Sequence, residues 1–220
     1  MNGMLRGVLD LLYPPRCMLC RCALPSSAEV TCGACDGDLP DLAGSRSVMY
    51  FEQCIAPFSY EEPIRGAILR FKFHGQRNYV QQFAKWMAAQ VCNKLTGTYD
   101  VISWVPCSRR RKWKRGFDQS ELLAKALAQE LGMEAVPTLR KRKHNKKQSL
   151  TAGAAQRRAN VVNVYRAENP QGFRGKRILL LDDVLTTGAT LSECGKTLML
   201  AGAGSLSCVV IAAAGTEKDK

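Results

Sequence analysis

One stretch constrains this chain more than any other: Ile178-Leu179-Leu180-Leu181-Asp182-Asp183-Val184-Leu185-Thr186-Thr187-Gly188-Ala189-Thr190-Leu191. Four apolar residues in a row suit a parallel strand covered on both faces. The core strand is expected over Lys176 to Val184, and Ser192 to Met199 then has helical spacing. The turn between them, Thr186 to Thr190, is made of hydroxyls and one glycine. Gly188 lets the backbone approach a ligand closely, and hydroxyls and N–H groups at a helix start favour an anion. Asp182 and Asp183 can accept hydrogen bonds from a vicinal diol or hold a Mg²⁺ through water. A diol beside a phosphate is a ribose 5-phosphate. The alternative is an ordinary strand-to-helix turn with two acids at its mouth, since Asp and Thr are good cap residues.

At 220 residues the chain can hold one full core plus a small module. It is 46% hydrophobic and 23% charged, which excludes a disordered chain. The formal charge of +13 gives a surface that attracts polyanions or acidic membranes. No apolar run is long enough to cross a bilayer, so no membrane insertion is expected. Met1 to Pro15 lacks the long apolar region of a signal peptide, which predicts a cytoplasmic protein. For such a protein, ten cysteines point to metal or free thiols before disulfides.

Cys17-Met18-Leu19-Cys20 and Cys32-Gly33-Ala34-Cys35 are two C-x₂-C knuckles. Together Cys17, Cys20, Cys32 and Cys35 can hold a tetrahedral Zn²⁺ in a closed, structural site. Cys22 is a spare thiol that can compete with Cys20. The sequence between 13 and 45 is too poor in apolar residues for a core, so the metal supplies much of its folding free energy. The module boundary is expected near residue 50, with a zinc ribbon and leading helix over 1–50 and a larger domain over 51–220.

Residues 4–12 suit a short helix stopped by Pro14-Pro15. Cys54 to Tyr60 suits a strand, and Pro63 can start a helix carrying Ile64, Ile68, Leu69 and Phe71. A second helix, Tyr79 to Leu95, puts Phe83, Trp86, Met87 and Val91 at core spacing, and His74 has no ligand neighbour. Asp100 to Val105 is a β-branched strand closed by Pro106. A basic loop follows from Cys107 to Ser120, with Ser120 as N-cap of a helix from Glu121 to Leu131 that Gly132 ends. Val136 to Leu139 is expected as a short strand and Arg140 to Lys147 as a mobile basic stretch. A short helix through Gln156-Arg157-Arg158 and a last strand, Leu206 to Ala212, complete the chain.

The acidic pair, two residues, Thr-Thr-Gly, one residue and Thr resemble the PRPP-binding motif of type I phosphoribosyltransferases. Further motifs occur in order: the strand ending Trp104-Val105-Pro106, then Lys114-Arg115-Gly116-Phe117-Asp118-Gln119-Ser120-Glu121-Leu122-Leu123-Ala124, Gln148-Ser149-Leu150 and Arg157-Arg158-Ala159-Asn160-Val161. With the doubled C-x₂-C they resemble the ComF/GntX family of competence-associated proteins over nearly the whole chain. The resemblance implies an α/β domain of type I phosphoribosyltransferase form, a parallel sheet with helices on both faces. In that form Asp182 and Asp183 meet the ribose and any Mg²⁺, Thr186, Thr187, Gly188, Ala189 and Thr190 wrap the 5′-phosphate, and Ser108 and Arg109 meet pyrophosphate. It also implies a role in natural transformation, handling incoming single-stranded DNA, with a DNA-translocation helicase of the competence machinery as partner. The family pattern has Asn where this chain has Asp118, an acceptor-only carboxylate in place of an amide.

Cys107 to Gln148 holds thirteen Lys or Arg against four acids, so most of the excess charge lies there. One reading makes it solvated surface around a pyrophosphate site. The other makes Arg110, Arg111, Lys112, Lys114, Arg115, Arg140, Lys141, Arg142 and Lys143 a nucleic-acid track, with Trp113 stacking on a base. Three functions stay open: a DNA-handling protein on a transferase-like scaffold, an active PRPP-dependent phosphoribosyltransferase of unknown acceptor, or a PRPP-sensing regulator.

Overall fold

The computed structural model describes residues 14–26, 28–36, 39, 45–142 and 164–215. Its centre is a parallel sheet. Strand β1 (Gln53–Ile55) and strand β2 (Phe58–Ser59) both pair with β7 (Ser205–Ala213). Strand β7 pairs with β6 (Arg177–Leu185), and β6 with β3 (Val101–Trp104). Ala135 adds a parallel bridge beside Ile102 on the far side of β3. Strands β4 (Leu139–Lys141) and β5 (Tyr165–Ala167) form a separate antiparallel pair.

Strand alternation sorts the central apolar run onto two faces. Leu179 and Leu181 of β6 join Val209 and Ile211 of β7 on one face. Helices α2 (Ile64–Phe73), α3 (Tyr79–Lys94) and α5 (Gln119–Leu131) cover it with Phe71, Phe83, Met87, Leu123 and Leu127. Ile178 and Leu180 point the other way, against Leu191, Cys194 and Leu198 of α6 (Ala189–Leu200) and against Phe173. All four residues of the run are fully buried, which is why it carries no polar alternation.

The cysteine-rich segment, with its single-turn helix α1 (Gly33–Asp36), does not stand apart. Cys17, Met18, Leu19 and Leu24 belong to the same apolar cluster as Phe71 and Phe83. Arg70 donates to Met18 O at 2.6 Å, and Arg21 to the Tyr79 hydroxyl at 3.2 Å. The segment that follows crosses α6. Val48 lies where a Cβ on Gly188 would touch it at 3.4 Å, and Phe51 and Tyr50 fill the space where a Gly195 side chain would be.

Several elements depart from expectation for identifiable reasons. The strand over 54–60 is split in two because Pro57 has no N–H for the ladder. Pro137 likewise reduces the strand expected over 136–139 to the bridge at Ala135, and pairing resumes only at β4. The first two residues of the stretch expected to be mobile, Arg140 and Lys141, are therefore strand. The basic loop after β3 contains a helix, α4 (Arg109–Arg115). Ser108 caps it by accepting from Arg111 N, and Gly116 at φ 77° stops it. Helix α6 begins at Ala189, three residues earlier than its apolar spacing suggested. The helices expected over 4–12 and around 156–158 lie outside the described residues.

Candidate functional site

Strands β6 and β3 run side by side, with Leu181 opposite Trp104, so their carboxyl ends open onto one edge. There β6 passes through Thr186, Thr187 and Gly188 into α6. Gly188 sits at φ 72°, a conformation that costs glycine nothing, and it is the N-cap of α6. Thr186 and Thr187 are exposed. The turn, together with Asp182, lines a small cavity of about 30 Å³. The two threonines thus stand exposed at the mouth of α6.

The acidic pair is already engaged. Asp182 Oδ1 accepts from Asp183 N at 2.9 Å and from the Ser120 hydroxyl at 3.3 Å. Burial, then the neighbouring Asp183 charge, pushes the Asp182 carboxyl up to about 7. Asp183 Oδ1 pairs with Lys72 Nζ at 2.8 Å, both side chains mostly covered. Sequence reasoning missed Lys72, because an ion pair between α2 and β6 leaves no local pattern.

Asp118, not Ser120, is the N-cap of α5. Its Oδ1 accepts from Ser120 N at 3.1 Å and Glu121 N at 3.4 Å, and its Oδ2 from Cys107 N at 2.8 Å. Every partner is a donor, so a carboxylate suits the position better than an amide. The Ser120 hydroxyl, freed from capping, reaches Asp182. Restoring the family residue with Asp118→Asn turns an NH₂ group toward one of these donors. It is expected to lower stability by about 1–2 kcal/mol in urea denaturation, and an unchanged midpoint would refute this account of the site.

Around the crevice the basic residues separate into two groups. On α4, Arg109, Arg110, Arg111, Lys112, Trp113 and Lys114 are exposed, Trp113 by 88%. Lys112 pairs with Glu121 at 2.8 Å. Arg115 is partly covered and lies 4.6 Å over the ring of Phe73, itself 61% exposed. Phe73 is a second surface aromatic, one that the sequence did not single out. Ser108, expected at pyrophosphate, spends its hydroxyl on the α4 cap, and Arg109 follows it at the helix start. Arg140 on β4 and Arg142 just after it are exposed, while Lys141 between them turns inward. The Lys141 ammonium donates to the Tyr165 hydroxyl at 3.0 Å, and burial lowers its pKa. Lys141 thus faces Tyr165, unlike the exposed Arg140 and Arg142 on either side. Lys143 lies outside the described residues.

At the other end, the sulfurs of Cys17, Cys20, Cys22 and Cys32 all lie within 4.8 Å of one another. Cys20 and Cys32 are 3.7 Å apart, and tetrahedral Zn–S bonds of about 2.3 Å set sulfurs about 3.8 Å apart. The Leu19 N–H points at the Cys17 sulfur at 3.4 Å. The donor set fits a structural zinc. Cys22, the spare thiol of the sequence, stands in this tightest group. Burial, then contacts with the Cys20 and Cys32 side chains, push the Cys35 thiol up to about 12.

Comparison with known proteins agrees with both ends. A double zinc ribbon domain matches residues 8–48, and a phosphoribosyl transferase domain matches residues 118–220. The Salmonella typhimurium DNA utilization protein YhgH is 29% identical over 199 residues, 87% of this chain and 82% of its own. Competence protein F of Haemophilus influenzae is 28% identical over 210 residues, 85% of this chain and 92% of its own. The chain is a homologue of these competence and DNA utilization proteins. A further relative, competence protein ComFC of Bacillus subtilis, is 25% identical over 181 residues, 82% of this chain and 71% of its own. A zinc ribbon thus precedes a phosphoribosyltransferase-like parallel sheet with helices on both faces. Among the described residues no helix is long and apolar enough to cross a membrane.

Proposed function

We propose that this protein binds a ribose 5-phosphate, as in PRPP, at the turn between β6 and α6, and handles single-stranded DNA along α4 during natural transformation. The observation that carries this reading is the adjacency of the two surfaces. Strands β3 and β6 are paired neighbours, so the basic helix and the phosphate turn issue from the same sheet edge. A 5′-phosphate fits the exposed Thr186 and Thr187 and the N–H groups that open α6. The sugar hydroxyls then meet Asp182 and Asp183, which keep acceptor capacity beyond their present partners. A polynucleotide interior has no free vicinal diol to offer there, so the strand runs outside the crevice, over the cations of α4, with Trp113 and Phe73 as stacking surfaces. The relatives named for competence and DNA utilization support this division of labour.

Single-strand binding by fluorescence anisotropy at several salt concentrations tests the nucleic-acid half. Each phosphate neutralised contributes about −0.7 to the slope of log K against log salt, so a slope between about −2 and −4 is expected. Trp113→Ala should weaken binding by about 1 kcal/mol or more. A flat salt dependence, or full binding by Trp113→Ala, overturns this half. For the sugar half the measurement is titration calorimetry with ribose 5-phosphate and PRPP. Pyrophosphate release seen by ³¹P spectroscopy with candidate bases would make the chain an active transferase instead. A ligand-dependent change in DNA affinity without turnover would make it a sensor.

A further inference from the structure

We propose that the ammonium group of Lys72 takes the cation's place at the acidic pair, so that this site receives a ribose phosphate without a divalent metal. The inference rests on the sugar-phosphate reading above and specifies the chemistry of that same site.

The geometry of the pair argues against a bound Mg²⁺. That ion demands near-octahedral oxygen ligands and is held by carboxylates that bring full negative charge and leave room for its waters. Asp183 has spent its charge on Lys72, with Nζ at 2.8 Å from Oδ1 and the two side chains only 16% and 20% exposed. Separating so covered a pair leaves an uncompensated charge. Asp182 Oδ1 is occupied by the Asp183 N–H and the Ser120 hydroxyl. Two further cations act on the pair: Arg115 on Asp183 and Lys141 on Asp182. Among the described residues, the only grouping of three or more ligand-bearing side chains suited to a metal is the cysteine cluster. The crevice is therefore cationic around its two acids. A sugar phosphate brings the negative charge itself, and a compact, strongly hydrated ammonium is suited to meet it.

The test uses the full-length, zinc-loaded protein in buffer freed of other divalent ions. Calorimetry with ribose 5-phosphate is expected to give affinities within about twofold with and without added Mg²⁺, and Lys72→Gln to lose about tenfold without Mg²⁺ and regain it with Mg²⁺. Mn²⁺ titration followed by electron paramagnetic resonance is expected to show no site in the unmodified protein and a new one in Lys72→Gln. Binding by the unmodified protein only with Mg²⁺ overturns the proposal. So does an unmodified Mn²⁺ site that Asp183→Asn removes, or a Lys72→Gln protein that matches the original in both measurements. If Lys72→Gln does not fold, Lys72→Gln/Asp183→Asn restores a neutral pair; weak binding that Mg²⁺ does not rescue then supports the proposal, and rescue refutes it. Because the Mn²⁺ measurement needs no sugar, absence of ribose 5-phosphate binding sinks the sugar-phosphate reading while the resonance spectrum still decides the cation.

Discussion

Stripping the zinc, or replacing Cys20 with serine, is expected to lower the stability of the whole protein and not merely of its first fifty residues. Cys20 stands both in the doubled knuckle pattern and in the tight sulfur group, so its loss removes a ligand whichever fourth thiol completes the site. Structural zinc supplies on the order of 10 kcal/mol to small modules that lack a core. The effect should spread because Met18 and Leu19 are buried against the cluster that holds Phe71 and Phe83. Withdrawing large apolar side chains from such a core costs about 2–5 kcal/mol each. Thermal denaturation with metal content measured alongside provides the check. A zinc-free protein with an unchanged main transition would mean that the ribbon is an independent appendage and that a boundary near residue 50 holds.

Gly188→Val should abolish ribose 5-phosphate binding, a loss of at least about 100-fold in calorimetry. A β-branched residue at φ 72° is strained by about 1–3 kcal/mol, and its Cβ would press on Val48 at 3.4 Å. The turn must then reorganise, and the N–H groups that face the anion lose their convergence. Zinc content and single-strand binding should persist, because the cysteines and α4 lie elsewhere in the chain. Undiminished ribose 5-phosphate binding would remove the sugar phosphate from this turn altogether.

Much of this architecture was legible because its signals are local. The buried run of β6, the acidic pair and the hydroxyl turn are contiguous, and each residue type has one physical reason to be there. The parallel sheet followed from that run, and α3 from its apolar spacing over Tyr79–Lys94. What escaped was whatever depends on pairing across the chain. Lys72 reads as one cation among many until α2 folds over β6. Lys141 reads as part of a basic run, and only the alternation of β4 turns it inward beside Tyr165. Asp118 and Ser120 are both good capping residues, and the choice between them was made by the distant Cys107 N–H, which only a carboxylate in that place can satisfy together with the helix start. Helix α4 escaped because a run of like charges suggests solvated coil, whereas Ser108 and Gly116 supply its two ends.

The packing of Val48 against Gly188, and of Tyr50 and Phe51 against Gly195, bears on how such proteins can be recombined. Val48 closes the stretch matched by the ribbon and Tyr50 and Phe51 follow it, yet all three form the floor on which the turn between β6 and α6 and its helix rest. A chimaera that grafts a foreign metal-binding head onto this sheet must leave 48–51 with the recipient. A splice placed after them would swap the head and, with it, the bed of the turn that opens α6.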